Sequence, residues 1–122
     1  MINSARYGIN INCKHQDFIK QILEGKKTIE TRNTPSLRTY VGERIGLIKT
    51  GCGKAMLCGY ATITREIHYK NEEEFRHDED KHLVSKGSVY DIVTEKYGYV
   101  LSDVVRIKTV EVKSKGIVSR KI

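Results

Sequence analysis

The chain is short and strongly basic, with 122 residues and a net charge of +7 at pH 7. Its 39% of hydrophobic and 30% of charged residues are typical of a soluble globular domain and argue against a disordered chain. No apolar run approaches the roughly 20 residues that a membrane helix needs, and no apolar signal segment is apparent, so we expect one cytoplasmic domain without membrane contact.

The charge is unevenly distributed along the chain. Residues 14–54 carry a net charge of +5 and residues 103–122 a net charge of +4, whereas the segment NEEEFRHDEDKH (71–82) carries −4. A basic domain is a candidate for nucleic-acid binding, because phosphate contacts supply much of that affinity. A basic surface that only maintains solubility is the alternative.

The first regular element is predicted to be a helix over residues 10–27. Its apolar side chains recur at helical spacing, namely Phe18, Ile19, Ile22 and Leu23. Asp17 is a candidate N-cap, and Gly25 is placed to end the helix. The three cysteines, Cys13, Cys52 and Cys58, are odd in number and have no CxxC spacing, so we expect free thiols and no metal site.

A short strand is predicted directly after this helix, in KTIETR (27–32). Its two-residue period places Glu30 and Arg32 on one face, with Ile29 and Thr31 on the other. Lys27 is expected at the entrance of the strand. Strands are predicted over residues 44–51 and 55–69, after a loop that contains Pro35.

The second half of the chain is predicted to contain two more helices and several strands. The acidic segment 71–85 favours a solvated helix with Asn71 as N-cap, and residues 88–98 favour a second short helix. Residues 97–113 indicate two strands joined near Asp103, and the tail 114–122 a last strand. The pattern indicates an α+β fold, with a small β-barrel of about five or six strands and flanking helices.

The charged side chains of the 27–32 segment are the candidate functional residues. Arg32 offers planar bidentate donors and Lys27 a mobile point charge. Glu30 can accept a hydrogen bond from an exocyclic amine or accept a proton. The alternative is a surface ion-pair network that contributes little stability.

The segment LEGKKTIETR resembles the signature of the ASCH domain family, a branch of the PUA-like superfamily. The family pattern G-x-K-x-x-E-x-R is filled here by Gly25, Lys27, Glu30 and Arg32. The segments VGERIGLIKTG, CGYATITREI and KYGYVLSDVVRI resemble later strands of the family, so the resemblance covers about residues 18–107. It implies one domain over 1–122, with a core of about 14–112 and a basic tail of 113–122.

The resemblance implies a PUA-like β-barrel that binds single-stranded RNA or a nucleotide in a cleft beside it, without a cofactor. Lys27, Glu30 and Arg32 then become binding residues. Tyr99 is a candidate for stacking on a base, with a core tyrosine as the alternative. Lys49 and Arg65 are weaker candidates for phosphate contacts.

Part of the family is enzymatic, so a catalytic alternative stays open. Similar bacterial proteins hydrolyse the amide of N4-acetylcytidine with a lysine, a threonine and a glutamate. Here Lys27 matches the lysine, but Glu30 stands where the threonine nucleophile would be, so both are catalytic candidates only if the chain is an enzyme. Metal-dependent RNA cleavage is a further activity in the family, with Glu66 as a conceivable partner of Glu30.

Overall fold

The computed structural model describes residues 5–122, which form six strands, three short α-helices and one 3-10 helix. In chain order these are β1 (Tyr7–Asn12), α1 (Phe18–Leu23), β2 (Ile29–Arg32), the 3-10 helix (Arg38–Tyr40), β3 (Arg44–Thr50), β4 (Met56–Tyr69), α2 (Glu72–His77), α3 (Glu79–His82), β5 (Lys96–Glu111) and β6 (Ser119–Lys121). No helix in this part of the chain has the length and apolar character to cross a membrane.

All six strands belong to one sheet, in the order β2-β5-β4-β3-β1-β6. Strands β1 and β3 are parallel, and the other neighbouring pairs are antiparallel. The α+β class and the number of strands are therefore confirmed. The sheet is open, with β2 and β6 at its edges, so the expected closed barrel is not confirmed.

The long strands β4 and β5 form the centre of the sheet and pair from Met56 with Glu111 to Tyr69 with Lys96. Register shifts interrupt this pairing. Gly59 lies at one of them, where an added Cβ would collide with the carbonyl oxygen of Val105. The predicted break near Asp103 is a bend inside one strand, because Asp103 adopts a φ of +50° without ending β5.

Helix α1 is much shorter than the helix that the sequence predicted. Residues 7–12 form β1 instead, because Ile9 and Ile11 alternate into the core while the backbone pairs with β3. The predicted ends of the remaining helix are confirmed. The Asp17 carboxylate accepts a hydrogen bond from the backbone N–H of Lys20 at 3.0 Å, and Gly25 adopts a φ of +78°.

The acidic segment is helical, as predicted, but it is divided into α2 and α3 at Asp78. Asn71 caps α2 through a 2.9 Å bond from the backbone N–H of Glu74. The helix predicted over residues 88–98 is absent. The Asp91 carboxylate there accepts hydrogen bonds from the backbone N–H groups of Gly87 and Ile92, and such local bonds stabilise turns at the expense of a helix.

The C-terminal segment adds the last strand to the sheet. Strand β6 pairs with β1, which confirms a last strand in the basic tail.

Cys13 and Cys52 are joined by a disulfide, so the prediction of free thiols is wrong for these two residues and right for the buried Cys58. Each cysteine follows one of the parallel strands β1 and β3, and the pairing of these strands brings the two thiols together. The contact could not be predicted from local sequence, because the two cysteines are 39 residues apart.

Candidate functional site

A cleft of about 300 Å³ lies where β1, β2 and the beginning of β5 come together. Its polar lining includes Glu30 and Arg32 from β2 and Lys96 from β5. Phe18, Tyr90 and Ile117 supply apolar lining from three other parts of the chain. The cleft therefore combines charged donors and acceptors with aromatic surface.

The Glu30 carboxylate lies on the cleft and is almost completely buried. One of its oxygens, Oε2, accepts from Nε of Arg32 at 3.1 Å and lies 3.0 Å from Nη2. Nη2 also donates to the backbone carbonyl of Asn10 at 2.7 Å. Arg32 thus links β2 to β1, two strands that are not neighbours in the sheet, and the predicted pairing of Glu30 with Arg32 on one face agrees with this contact.

Lys27 lies behind Glu30 and does not line the cleft. Its ammonium donates to the carbonyl oxygen of His82 at 2.5 Å, lies 3.7 Å from Oε1 of Glu30 and sits 4.2 Å from the centre of the Phe18 ring. Burial lowers the pKa of Lys27 to about 8, although the neighbouring Glu30 opposes this shift. The predicted mobile charge at the strand entrance is therefore wrong, because α3 covers this side chain.

His82, at the end of α3, fixes the carbonyl that receives Lys27. The backbone N–H of Val84 donates to Nδ1 at 2.9 Å, so Nε2 carries the proton and donates to the carbonyl of Phe75 at 2.7 Å. The His82 ring also stacks on the ring of Phe75 with a centroid separation of 4.0 Å. Burial lowers the pKa of this imidazole and so favours its neutral form. The two hydrogen bonds require the same neutral form.

Lys96 is a cleft residue that the sequence interpretation missed. Its side chain lines the cleft although the residue is only 3% exposed, and among residues 5–122 it has no hydrogen bond or ion-pair partner within contact distance. Burial lowers its pKa, which Glu30 and Asp91 partly offset. The available signal was a lysine that opens KYGYVL, an otherwise apolar strand segment.

Thr31 and Tyr90 also line the cleft, and the sequence interpretation placed neither of them there. Thr31 was expected to point away from Glu30, yet it lines the cleft as well. Tyr90 lies in the loop before β5, and its ring meets the Phe18 ring edge to face at 5.4 Å. Tyr90 and Phe18, rather than Tyr99, are the aromatic side chains of this cleft.

Tyr99 lies in the hydrophobic core and is completely buried. Its hydroxyl donates to Glu66 at 2.7 Å, and Arg38 binds the same carboxylate at 2.9 Å. This placement matches the core alternative for Tyr99 and leaves no ring face for a base. Glu66 is thus engaged by two partners, and it does not line the cleft with Glu30.

The two weaker phosphate candidates also lie outside the cleft. The Lys49 ammonium is paired with the carboxylate of Asp17 at 3.0 Å, in a separate groove of about 340 Å³. Arg65 is exposed on β4. Within residues 5–122, no three or more His, Cys, Asp or Glu side chains are grouped so that they could hold a metal ion.

Comparison with known proteins identifies the family. The model of the ASCH domain matches residues 14–108. The crystal structure of ASCH from Zymomonas mobilis has a TM-score of 0.67 at 19% identity, covering 86% of this chain and 72% of that chain. Crystal structures of two single-residue variants of that protein have TM-scores of 0.71 and 0.68, with 17% and 19% identity.

The variant structures cover 95% and 86% of this chain, and 87% and 74% of their own chains. These similarities concern the fold, because the identities are low. No curated protein sequence matches the chain. The family model spans well over half of the sequence, and the chain therefore belongs to the ASCH domain family.

Proposed function

We propose that this ASCH domain binds single-stranded RNA or a nucleotide in the cleft that Glu30, Arg32 and Lys96 line. The observation that carries the proposal is the convergence of one carboxylate, two cations and two aromatic rings on one cleft of about 300 Å³. The family is generally linked to RNA binding. The volume lies at the lower end of the range for small-molecule sites, so a single nucleotide is a suitable occupant.

The parts of a nucleotide have matching partners in this cleft. The Glu30 carboxylate can accept a hydrogen bond from an exocyclic amine, because Glu30 lines the cleft and a carboxylate oxygen has more than one acceptor position. The half-buried Tyr90 ring, which packs edge to face on the buried Phe18, offers apolar surface for a base. The basic remainder of the chain can attract the phosphates of a longer strand without reading its sequence.

The proposal is tested by fluorescence anisotropy with a labelled single-stranded RNA of about ten nucleotides, near the site sizes of single-strand-binding domains. The test variant is Arg32→Lys, and the matched control is Arg65→Lys on the exposed face of β4. Both keep the net charge. We expect Arg32→Lys to weaken binding at least about tenfold, because lysine lacks the planar donors that span Glu30 and a ligand.

The control variant should bind RNA as the wild type does. Equal affinity of all three proteins would mean that basic surface, and not the cleft, attracts RNA. Absence of binding to RNA and to each of the four nucleotides would reject the proposal as a whole.

An amide hydrolase is the second candidate, and the Lys27–Glu30 pair is the observation that favours it. A lysine with a pKa of about 8 beside a carboxylate can exchange protons near neutrality. Lys27, however, is enclosed behind Glu30, which makes binding the better-supported function. Release of acetate from N4-acetylcytidine, absent in Glu30→Gln, would reverse this order.

A further inference from the structure

The positive charges around the Glu30 carboxylate outnumber the negative ones. Lys27, Arg32 and Lys96 surround a single carboxylate, that of Glu30, so the group carries a surplus of two positive charges when both lysines are protonated. Asp91 is the other acid whose charge favours protonated Lys96, but its carboxylate is already paired with the Arg76 guanidinium at 2.6 Å. Burial of unpaired charge is costly, so a bound anion would stabilise this arrangement.

Two sets of hydrogen-bond donors on these cations are unused. Arg32 employs Nε and Nη2 for Glu30 and Asn10, whereas Nη1 has no hydrogen bond to any residue in the range 5–122. The ammonium of Lys96 has none either; the residue is only 3% exposed, and because Nζ is not among the fully buried polar atoms that lack a partner, it keeps contact with the cleft. Both side chains line the same cleft, so their free N–H groups are available to one ligand.

We propose that Arg32 and Lys96 form an oxyanion subsite that holds the phosphate group of a nucleotide. The inference rests on the proposed function and deepens it, because it makes the ligand a phosphorylated nucleotide and not a neutral nucleoside. A terminal phosphate carries a charge of about −1.5 to −2 at pH 7, which matches the surplus. Its several oxygens can accept from donors on two strands and its charge balances both cations, whereas a carbonyl is neutral.

The role of Lys96 distinguishes this subsite from an ordinary structural ion pair. A lysine that stabilises the fold is paired, and its removal destabilises the protein. Lys96 is buried without such a pair, so Lys96→Met should raise the thermal midpoint of the free protein while it removes phosphate binding. Opposite effects on stability and on binding are the signature of a residue retained for a ligand.

The test compares each of the four ribonucleosides with its 5′-monophosphate by isothermal titration calorimetry. The proteins are the wild type, Lys96→Met and the control Lys108→Met, in which the same change is made at an exposed position of β5. We expect at least one monophosphate to bind at least about tenfold more tightly than its nucleoside, in the wild type and in the control. Lys96→Met should bind the two forms with similar affinity.

Nucleosides that bind as tightly as their monophosphates would overturn the subsite, as would a Lys96→Met protein that keeps the preference. If that happened while Arg32→Lys still weakened RNA binding, the proposed function would stand without the subsite. If no nucleoside, nucleotide or RNA bound, both would fail.

A second measurement covers the case in which Lys96→Met does not fold. Lys96→Arg keeps the charge and should keep the preference for the monophosphate. In the wild type, low millimolar inorganic phosphate should raise the thermal midpoint more than chloride of equal ionic strength does. A midpoint that phosphate leaves unchanged would contradict the subsite.

Discussion

The charged residues of the G-x-K-x-x-E-x-R segment have separate tasks in the structure. Lys27 is enclosed by α1 and α3 and does not line the cleft, whereas Glu30 and Arg32 do. Arg32 additionally joins β2 to β1 through the carbonyl of Asn10. We therefore expect a substitution of Lys27 to change mainly the folding stability, and a substitution of Arg32 to change both the stability and the proposed ligand binding.

The enclosed position of Lys27 predicts an unusual titration. Its ammonium should lose its proton with a midpoint of about 8, against 10.5 for an unperturbed lysine. Because the folded state releases this proton more readily than the unfolded state, the contribution of Lys27 to the free energy of unfolding should increase as the pH rises from about 8 to 10.5. The lysine ¹³Cε resonances, assigned with Lys27→Arg, measure the midpoint, and a value near 10.5 would show a solvated side chain.

The spacing of the motif was enough to predict one contact but not its surroundings. The two-residue period of a strand places Glu30 and Arg32 side by side, and they are bonded in the structure. The partner of Lys27 is the carbonyl of His82, 55 residues along the chain, and no local pattern specifies that contact. Lys96 was missed for the same reason, since only the pairing of β2 with β5 brings it to the cleft.

The helices α2 and α3 form a small unit that supports Lys27 and the beginning of β2, next to the cleft. Phe75 of α2 is completely buried and stacks on His82 of α3, whose carbonyl receives Lys27. The backbone N–H of Thr28, just before β2, donates to the carbonyl of Lys81 at 2.9 Å. The acidic segment is therefore a structural support on one side and a solvated surface on the other.

This unit should make stability sensitive to mild acid. The pKa of His82 is lowered from 6.5 by burial, so the unfolded state binds a proton that the folded state resists. The His82 contribution to the free energy of unfolding is thus complete above pH 6.5 and is lost as the pH falls below it. Urea unfolding across this range measures the loss. The control variant His15→Gln, changed at an exposed position, should lose as much free energy of unfolding on acidification as the wild type does. A free energy of unfolding that does not change with pH would contradict the prediction.

The N-cap of α2 is a second prediction at this scale. The Asn71 carboxamide satisfies the backbone N–H of Glu74 at 2.9 Å, and α2 has only six residues. Asn71→Ala should lower the free energy of unfolding by about 1 kcal/mol, whereas Asn71→Ser should lower it much less because it keeps a capping oxygen. Equal losses in the two variants, measured by urea unfolding, would assign another role to this side chain.

The elements that the sequence predicted correctly are those with local signals. The cap at Asn71, the glycine after α1 and the apolar runs of β3 and β4 depend on neighbouring residues alone. The predicted helix wrongly includes residues 10–12 of β1, because they lie next to the true helical pattern and their partner β3 is distant in sequence. The openness of the sheet is likewise a property of long-range pairing, which composition does not encode.

The whole molecule has a disulfide that ties two parallel strands together beside the cleft. Cys13 and Cys52 follow β1 and β3, and Asn12 and Thr50 at the ends of these strands line the cleft. Reduction should lower the free energy of unfolding by about 2–4 kcal/mol, since it releases a long loop in the unfolded chain. Alkylation of the unfolded protein should find one free thiol, that of Cys58, without reductant and all three cysteines with it. Three free thiols without reductant would contradict the bond.

The proposed RNA binding should depend on salt, because the chain carries a net charge of +7. The logarithm of the affinity should fall linearly with the logarithm of the salt concentration, by about 0.7 per neutralised phosphate of a single strand. Arg32→Lys keeps the charge, so it should lower the affinity with an unchanged slope. Arg32→Met would remove the proposed phosphate contact, so its slope should be smaller by about 0.7. Unaltered slopes in both variants would mean that Arg32 meets the base or sugar, and that Lys96 alone among the cleft cations meets phosphate.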